Sequence, residues 1–366
     1  MEKRNNFFKG IIIGLIVSSV ICSSFIIIVV FLQLSLNEKV RMVQRKVQAM
    51  LEVVMTNSYV NNVDFIEENI CKMLIDSLED EYSQYLSKEE YVGLQTFYEG
   101  GDVGIGIYVR EEGNKLIIEH VVPNSPAEIG GLKEGDIIAM ELPEVSNKLN
   151  DKIDLKVYRD NKLEICNIEV KLYKNKTVFE DIVDSEILYI DIPQFTKETG
   201  TELKRVLNRN LEVDNLIVDL RGNAGGEFES AIECISCFFE SGENLLIKRS
   251  KNEEKIIKSK DGMPLFQGRV AVVINDETAS AAEAFALAIQ SKNRGVLIGN
   301  KSYGKGVIQK IFELEDGSAV KLTVAEFLTL GGEKIDKIGL ETDIECEDAR
   351  CFEVAYNFLK RGRKYE

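Results

Sequence analysis

At 366 residues, with 45% hydrophobic and 29% charged, the chain has room for a sizeable core and for two or three small domains. Its formal net charge of −16 argues against nucleic acid and anionic lipid as partners of the soluble part. A single histidine excludes a zinc peptidase with paired histidines, and seven cysteines in a chain of this size are not a disulfide scaffold.

The first element, Ile11 to Leu32, carries no charge. At 1.5 Å rise per residue it reaches about 33 Å, enough to cross a bilayer. Lys3, Arg4 and Lys9 precede it, so the positive-inside rule keeps the N-terminus in the cytoplasm and places the rest outside. No small-x-small cleavage site follows, which favours an uncut single-pass anchor over a signal peptide. Cys22 lacks the small residue before it that lipidation wants. Residues 37–60 read as a helix continuing out of this segment, with Val40, Val47, Leu51 and Val54 on one face. Phe65 to Leu78 is a second helix, with Ile66, Ile70, Met73 and Leu74 at helical spacing.

Glu99 to Asp102 breaks the helical pattern. Strands are then expected at 103–109, 116–120, 136–140, 153–158 and 165–172, with Gly and Asn turns between them. His120, on one of these strands, reads as a surface residue. From Leu188 strand-like runs (LYIDI, NLIVDL, VAVVIN, GVLIG) alternate with helical runs, which predicts an α/β domain with buried parallel strands. Lys248 to Lys260 is charged enough for an exposed loop or hairpin. Val307–Glu313 and Ala319–Leu330 are expected to pair antiparallel across Asp316-Gly317. Cys234 and Cys237 form C-x-x-C, but they fall inside the apolar helix pattern AIECISCFF and no second ligand pair sits at finger spacing. Buried thiols are expected there.

A serine nucleophile without a histidine partner needs another base. Lysine serves if burial lowers its pKa enough to leave a neutral amine near pH 7. DETASAAEAFALAIQ puts Ser280 at the start of a helix, where free N–H groups favour developing negative charge. An ordinary N-cap is the plain alternative. Glu283, three residues on, can cap the helix or touch the site. KSYGKGVIQK puts Lys305 between Gly304 and Gly306 as a strand begins. IVDLRGNAGGEF ends a strand in a Gly-rich turn whose N–H groups, at Gly225 or Gly226, could donate to an oxyanion. The G-K-[ST] of a phosphate loop is absent.

LRGNAGG, NDETASAAE, YGKGVIQ, LEDGSAVKLTVAEF and GLETDIE resemble, in order, the motifs of the C-terminal processing (tail-specific) peptidases, family S41. Lys305 follows Ser280 by 25 residues (305 − 280), as in that family. The resemblance implies an α/β peptidase core of ClpP/crotonase-like type, Ser280 as nucleophile, Lys305 as general base and Gln309 orienting the lysine amine. It implies an oxyanion hole from Ala281 with Gly225 or Gly226. It needs no metal and no organic cofactor. On a strand, a step of four keeps Lys305 and Gln309 on one face.

GDVGIGIYV and NSPAEIGGLKEGDIIAM resemble a PDZ domain, in which Gly104, Ile105, Gly106 and Ile107 would offer N–H groups to a peptide carboxylate and a strand edge to its backbone. Met140 to Lys152 is shorter than the matching stretch of typical relatives, so a truncated module with a weakened groove is expected. The organisation expected is a tip and anchor (1–36), N-terminal helices (37–95), a reduced PDZ-like unit (96–175), the peptidase core (176–345) and a helical tail (346–366). The functional expectation is a membrane-anchored serine endopeptidase acting on extracytoplasmic proteins or their C-terminal tails, with a homodimer through the N-terminal helices. A catalytically inactive peptide-binding scaffold of the same fold is the alternative.

Overall fold

Residues 38–58, 63–113, 115–139, 149–260 and 262–361 are described by the computed structural model. The apolar run 11–32 and the stretch 140–148 lie outside them. Among the described residues no helix is long and apolar enough to cross a membrane. The chain divides into two compact units at Cys71/Lys72. In the first, α1 (residues 38–57) keeps much of its apolar surface exposed, Val40, Val43, Val53 and Val54 included. α2 (Val63–Asp76) follows.

The second unit takes in the end of α2 from Lys72 and continues with β1 (Gln84–Leu86) and α3 (Lys88–Tyr98). The α3 helix starts at a capping box, Ser87 with Glu90, a local signal overlooked in the sequence. Then comes a β-rich module: β2 (Gly101–Gly104), β3 (Ile107–Glu112), β4 (Lys115–Val121), α4 (Pro126–Ile129), β5 (Ile137–Ile138), β6 (Lys152–Arg159), β7 (Lys162–Glu169) and β8 (Lys171–Lys174). β3 to β7 form one five-stranded sheet in sequence order, with β3 on an edge, and β2 pairs with β8. The run expected at 103–109 is therefore two strands broken at Ile105-Gly106. Gly106, at φ +83, lies so close to Ser125 that a Cβ would meet its side chain at 2.3 Å. Asp160 and Asn161, both at positive φ, make the β6–β7 hairpin turn.

The core follows as β9 (Phe179–Val183), β10 (Ile187–Asp191), α5 (Thr199–Arg209), β11 (Asn215–Asp219), α6 (Phe228–Ser236), β12 (Asn244–Ser250), β13 (Glu254–Lys258), β14 (Arg269–Ile274), α7 (Ala281–Ser291), β15 (Val296–Gly299), β16 (Val307–Glu313), β17 (Ala319–Leu328), β18 (Ile344–Glu345) and α8 (Asp348–Arg361). One sheet runs β18-β15-β14-β11-β10-β9, parallel except for β9. Its strands send alternate residues to opposite faces. Leu188, Leu216, Val218, Val270 and Val272 pack with α5, α6 and α7, whereas Ile187, Ile217, Ala271, Val273 and Ile298 pack with α8. Residues 281–289 of α7 are all buried, as a helix apolar all round requires. The second sheet joins β1, β17, β12 and β13, with β16 on β17. The charged run 248–260 holds the β12–β13 hairpin.

Cys234 and Cys237 are buried thiols, as expected. Cys346 and Cys351 pair as a disulfide with Cα atoms 5.6 Å apart, a link the cysteine spacing did not announce. His120 is not a surface residue. Its side chain is 14% exposed, it stacks on Phe179 at 3.8 Å, and its Nε2 meets the buried Asp191 carboxylate.

Candidate active site

β11 and β14 are parallel neighbours, so the loops leaving their carboxyl ends lie side by side, the usual place for a site in an α/β sheet. Three hydrogen bonds stitch these loops together. The Ala279 N–H donates to the Asn223 carbonyl (2.9 Å), the Gly222 N–H to Asn275 Oδ1 (3.1 Å), and the Thr278 hydroxyl to the Leu220 carbonyl (2.8 Å). Gly225 is what allows the approach. A Cβ there would lie 2.8 Å from the Ala279 carbonyl oxygen, 2.9 Å from Ser280 Cβ and 3.0 Å from Ala281 N.

Ser280 sits on a sharp strand-to-helix turn at φ 56, ψ −116. That conformation is strained for a residue with a Cβ, and such strain persists only where the surroundings over-determine it. The over-determining group is Glu283. Its carboxylate, wholly buried, accepts from the N–H groups of Ser280 (2.9 Å), Gly304 (2.8 Å) and Lys305 (2.8 Å) and from the Ser302 hydroxyl (2.5 Å). Ser302 in turn accepts from the Leu340 N–H (2.7 Å). Burial pushes the Glu283 pKa up, against those hydrogen bonds. One carboxylate therefore fixes the backbone on both sides of the expected nucleophile–base pair.

Ser280, Lys305, Gln309, Gly225 and Gly226 line one cleft of about 880 Å³, joined by Lys321 and by Tyr108 from β3. The Lys305 amine is half-buried, and burial first, then the positive Lys321, holds its pKa below 10.5 while Asp80, Glu81 and Glu283 pull it back. Its Nζ lies 4.7 Å from the centre of the Tyr82 ring.

Two expectations need correction. Gln309 does not hydrogen-bond to Lys305; its amide donates to the Tyr82 carbonyl. Both residues do line the one cleft, but Lys305 precedes β16 and the Gln309 amide is taken by the Tyr82 carbonyl. Among the oxyanion donors, the Gly225 N–H is committed to Asn223 Oδ1 at 2.7 Å. Gly226 and Ala281, the latter at the first position of α7, are the remaining candidates.

Gly104, Ile105, Gly106 and Ile107 lie at the module's sheet edge, outside the cleft lining. The Ile105 carbonyl already accepts from Ala127 (2.7 Å) and that of Gly106 from Val122 (3.0 Å). The sequence reading missed Tyr82, Asp80 and Lys321. The β1–β17 pairing, which sets Gln84 opposite Lys321, and the hydrogen bonds of Gln309 to the Tyr82 carbonyl and of Thr323 to Ser83 bring residues 80–83 beside Lys305, where Tyr82 lines a second pocket next to the cleft. Among the described residues no cluster of His, Cys, Asp and Glu could hold a metal ion.

The model of peptidase family S41 matches residues 186–346. The carboxy-terminal processing protease CtpA of Bacillus subtilis (strain 168) is 32% identical over 301 residues, covering 78% of this chain and 64% of that protein. The photosystem II D1 C-terminal processing protease superposes with a TM-score of 0.53 at 20% identity, over 82% of this chain and 86% of that one. A structure from Bacteroides fragilis assigned to the S41 proteases gives 0.56 at 18% identity, with the same coverage of 82% and 86%. At these identities the structural likenesses establish the fold.

Proposed function

We propose that this chain, matched by the S41 model over residues 186–346, is a serine endopeptidase of that family in which Ser280 attacks and Lys305 is the general base. The observation that carries this reading is the strained Ser280 turn tied, through the one Glu283 carboxylate, to the backbone of a half-buried lysine in the same cleft. A neutral Lys305 takes the Ser280 hydroxyl proton as Oγ attacks the scissile carbonyl. The N–H groups of Ala281 and Gly226 meet the oxyanion. Lys305 passes its proton to the departing amine, and water, deprotonated by the same lysine, releases the acyl group. The amine resting over Tyr82 swings toward Ser280 for the first step. Gln309, through its bond to the Tyr82 carbonyl, braces the wall beside it.

The substrates proposed are proteins or their C-terminal tails. The edge strand β3 supports peptide delivery by the β-rich module, a PDZ-like unit in this reading, because its Tyr108 opens onto the cleft. The uncharged run Ile11–Leu32 after Lys3, Arg4 and Lys9 supports a single-pass anchor with the catalytic part outside the cytoplasm. The exposed apolar face of α1 supports a homodimer through the N-terminal helices.

A fluorogenic peptide assay tests the core of this reading. Ser280→Ala and Lys305→Ala are each expected to lower turnover at least about 1,000-fold. Equal turnover in the wild type and both variants would remove the mechanism, and no turnover in any of the three would leave a binding scaffold.

A further inference from the structure

Lys305 and Gln309 share one neighbour that lies far from both in sequence. The Lys305 amine sits 4.7 Å above the centre of the Tyr82 ring, within the range where an aromatic face attracts a cation. The Gln309 amide donates to the carbonyl of the same residue. Tyr82 does not lie there loosely. Just after it, β1 pairs with β17 through Gln84–Lys321, Tyr85–Val320 and Leu86–Ala319. The Thr323 N–H donates to the Ser83 hydroxyl at 3.1 Å, and that hydroxyl donates to the Asp80 carboxylate. Asp80 also accepts from the Tyr82 N–H at 3.3 Å. The turn 80–83 is thus fixed at both ends before it meets the lysine.

We propose that Tyr82 is a positioning residue for the base: its ring face seats the Lys305 amine while its carbonyl anchors Gln309. A segment outside the 186–346 family match then completes the site. This rests on the reading of Lys305 as general base. A lysine on a flexible four-carbon stem, placed only by its own backbone, would sweep the cleft, and a seated one starts each cycle from one place. The seat favours the ammonium form, so it also sets where the amine titrates. Burial, first, and then Lys321 oppose the ammonium, while Asp80, Glu81 and Glu283 act in the same sense as the seat.

The test keeps the ring's shape and changes only its electrons. Tyr82→Phe serves as the reference, and phenylalanines bearing one and then three ring fluorines are placed at position 82. Lys305 is titrated directly, by trace acetic anhydride labelling across pH read at that lysine by mass spectrometry. Each added fluorine weakens the ring's hold on the ammonium, so the labelling midpoint is expected to fall stepwise, by about half a unit to one unit across the series. The acid limb of peptide turnover should move the same way. A midpoint that stays put through the series overturns the proposal. Labelling needs no turnover, so a failure of the peptidase reading, seen as unchanged cleavage by Ser280→Ala, is told apart from a failure of the Tyr82 seat.

Discussion

A half-buried lysine destabilises the fold that holds it for as long as it carries a proton. The folded-state pKa of Lys305 lies below 10.5, so that cost is present at neutral pH and disappears as pH climbs from the folded value past 10.5. Lys305→Met is therefore expected to raise the melting temperature at pH 7, by a margin that shrinks toward pH 10.5, while turnover drops at least about 1,000-fold. Thermal melts and peptide assays on one preparation check both; a lowered melting temperature at pH 7 would contradict the sign. Lys321, itself held down by burial, should matter in the opposite sense. Lys321→Met removes a positive neighbour, so the Lys305 pKa rises and the acid limb of kcat/KM moves to higher pH. Glu283→Gln leaves buried N–H donors facing an amide in place of a carboxylate, which costs about 1–3 kcal/mol by denaturant melt and loosens both catalytic segments. Ser280 and Lys305 were legible because each stands in a motif with a local reason, a helix start and a pair of glycines. Glu283 was ambiguous, since its hydrogen bonds to Gly304 and Lys305 cross to a segment about 20 residues away.

Alternation placed most strands of the β-rich module, because one face of each is buried and the period of two is easily read. Alternation does not say what packs on a face. His120, on β4, turns onto β9 and β10, with Phe179 stacked on its ring and Asp191 at Nε2. Glu134 approaches Nδ1 at 3.4 Å. Burial alone would lower the His120 pKa, but the hydrogen bond and charge of Asp191, with Glu119 and Glu134, carry it above 6.5. Asp191 is itself pushed up to about 6 by burial. Above about pH 6 the carboxylate is ionised, and the contact is charge-assisted until pH passes the raised histidine value, where its contribution is lost. Against His120→Gln, the wild type should be more stable by about 1.5–3 kcal/mol near pH 6.5, with the gap closing as pH rises. Melts of the two proteins between pH 6 and 9 decide it; a gap that widens with pH would sink the assignment.

At the scale of the whole second unit, the site is assembled from four stretches: 80–83, 222–226, 278–283 and 302–309. The two middle stretches meet because β11 and β14 are parallel neighbours, which the strand–helix alternation foretold. The first arrives with β1 on β17, a three-residue strand too short to be read from its sequence. What holds β1 down is a small cluster of Leu86, Tyr91 and Ala319, with Leu94 and Ile311 against it. Leu86→Ala should cost about 2–4 kcal/mol, as a buried leucine does, and should also free Tyr82 and so unsettle Lys305. Leu359→Ala in α8 offers a matched control. Leu359 is equally buried, at 2% against 4% for Leu86, but it packs on the sheet face turned away from α5, α6 and α7. Both variants should therefore lose comparable stability. Under conditions where both remain folded, only Leu86→Ala should lose turnover beyond what its folded fraction explains. Equal turnover in the two would mean that the β1 edge braces the sheet without reaching the base.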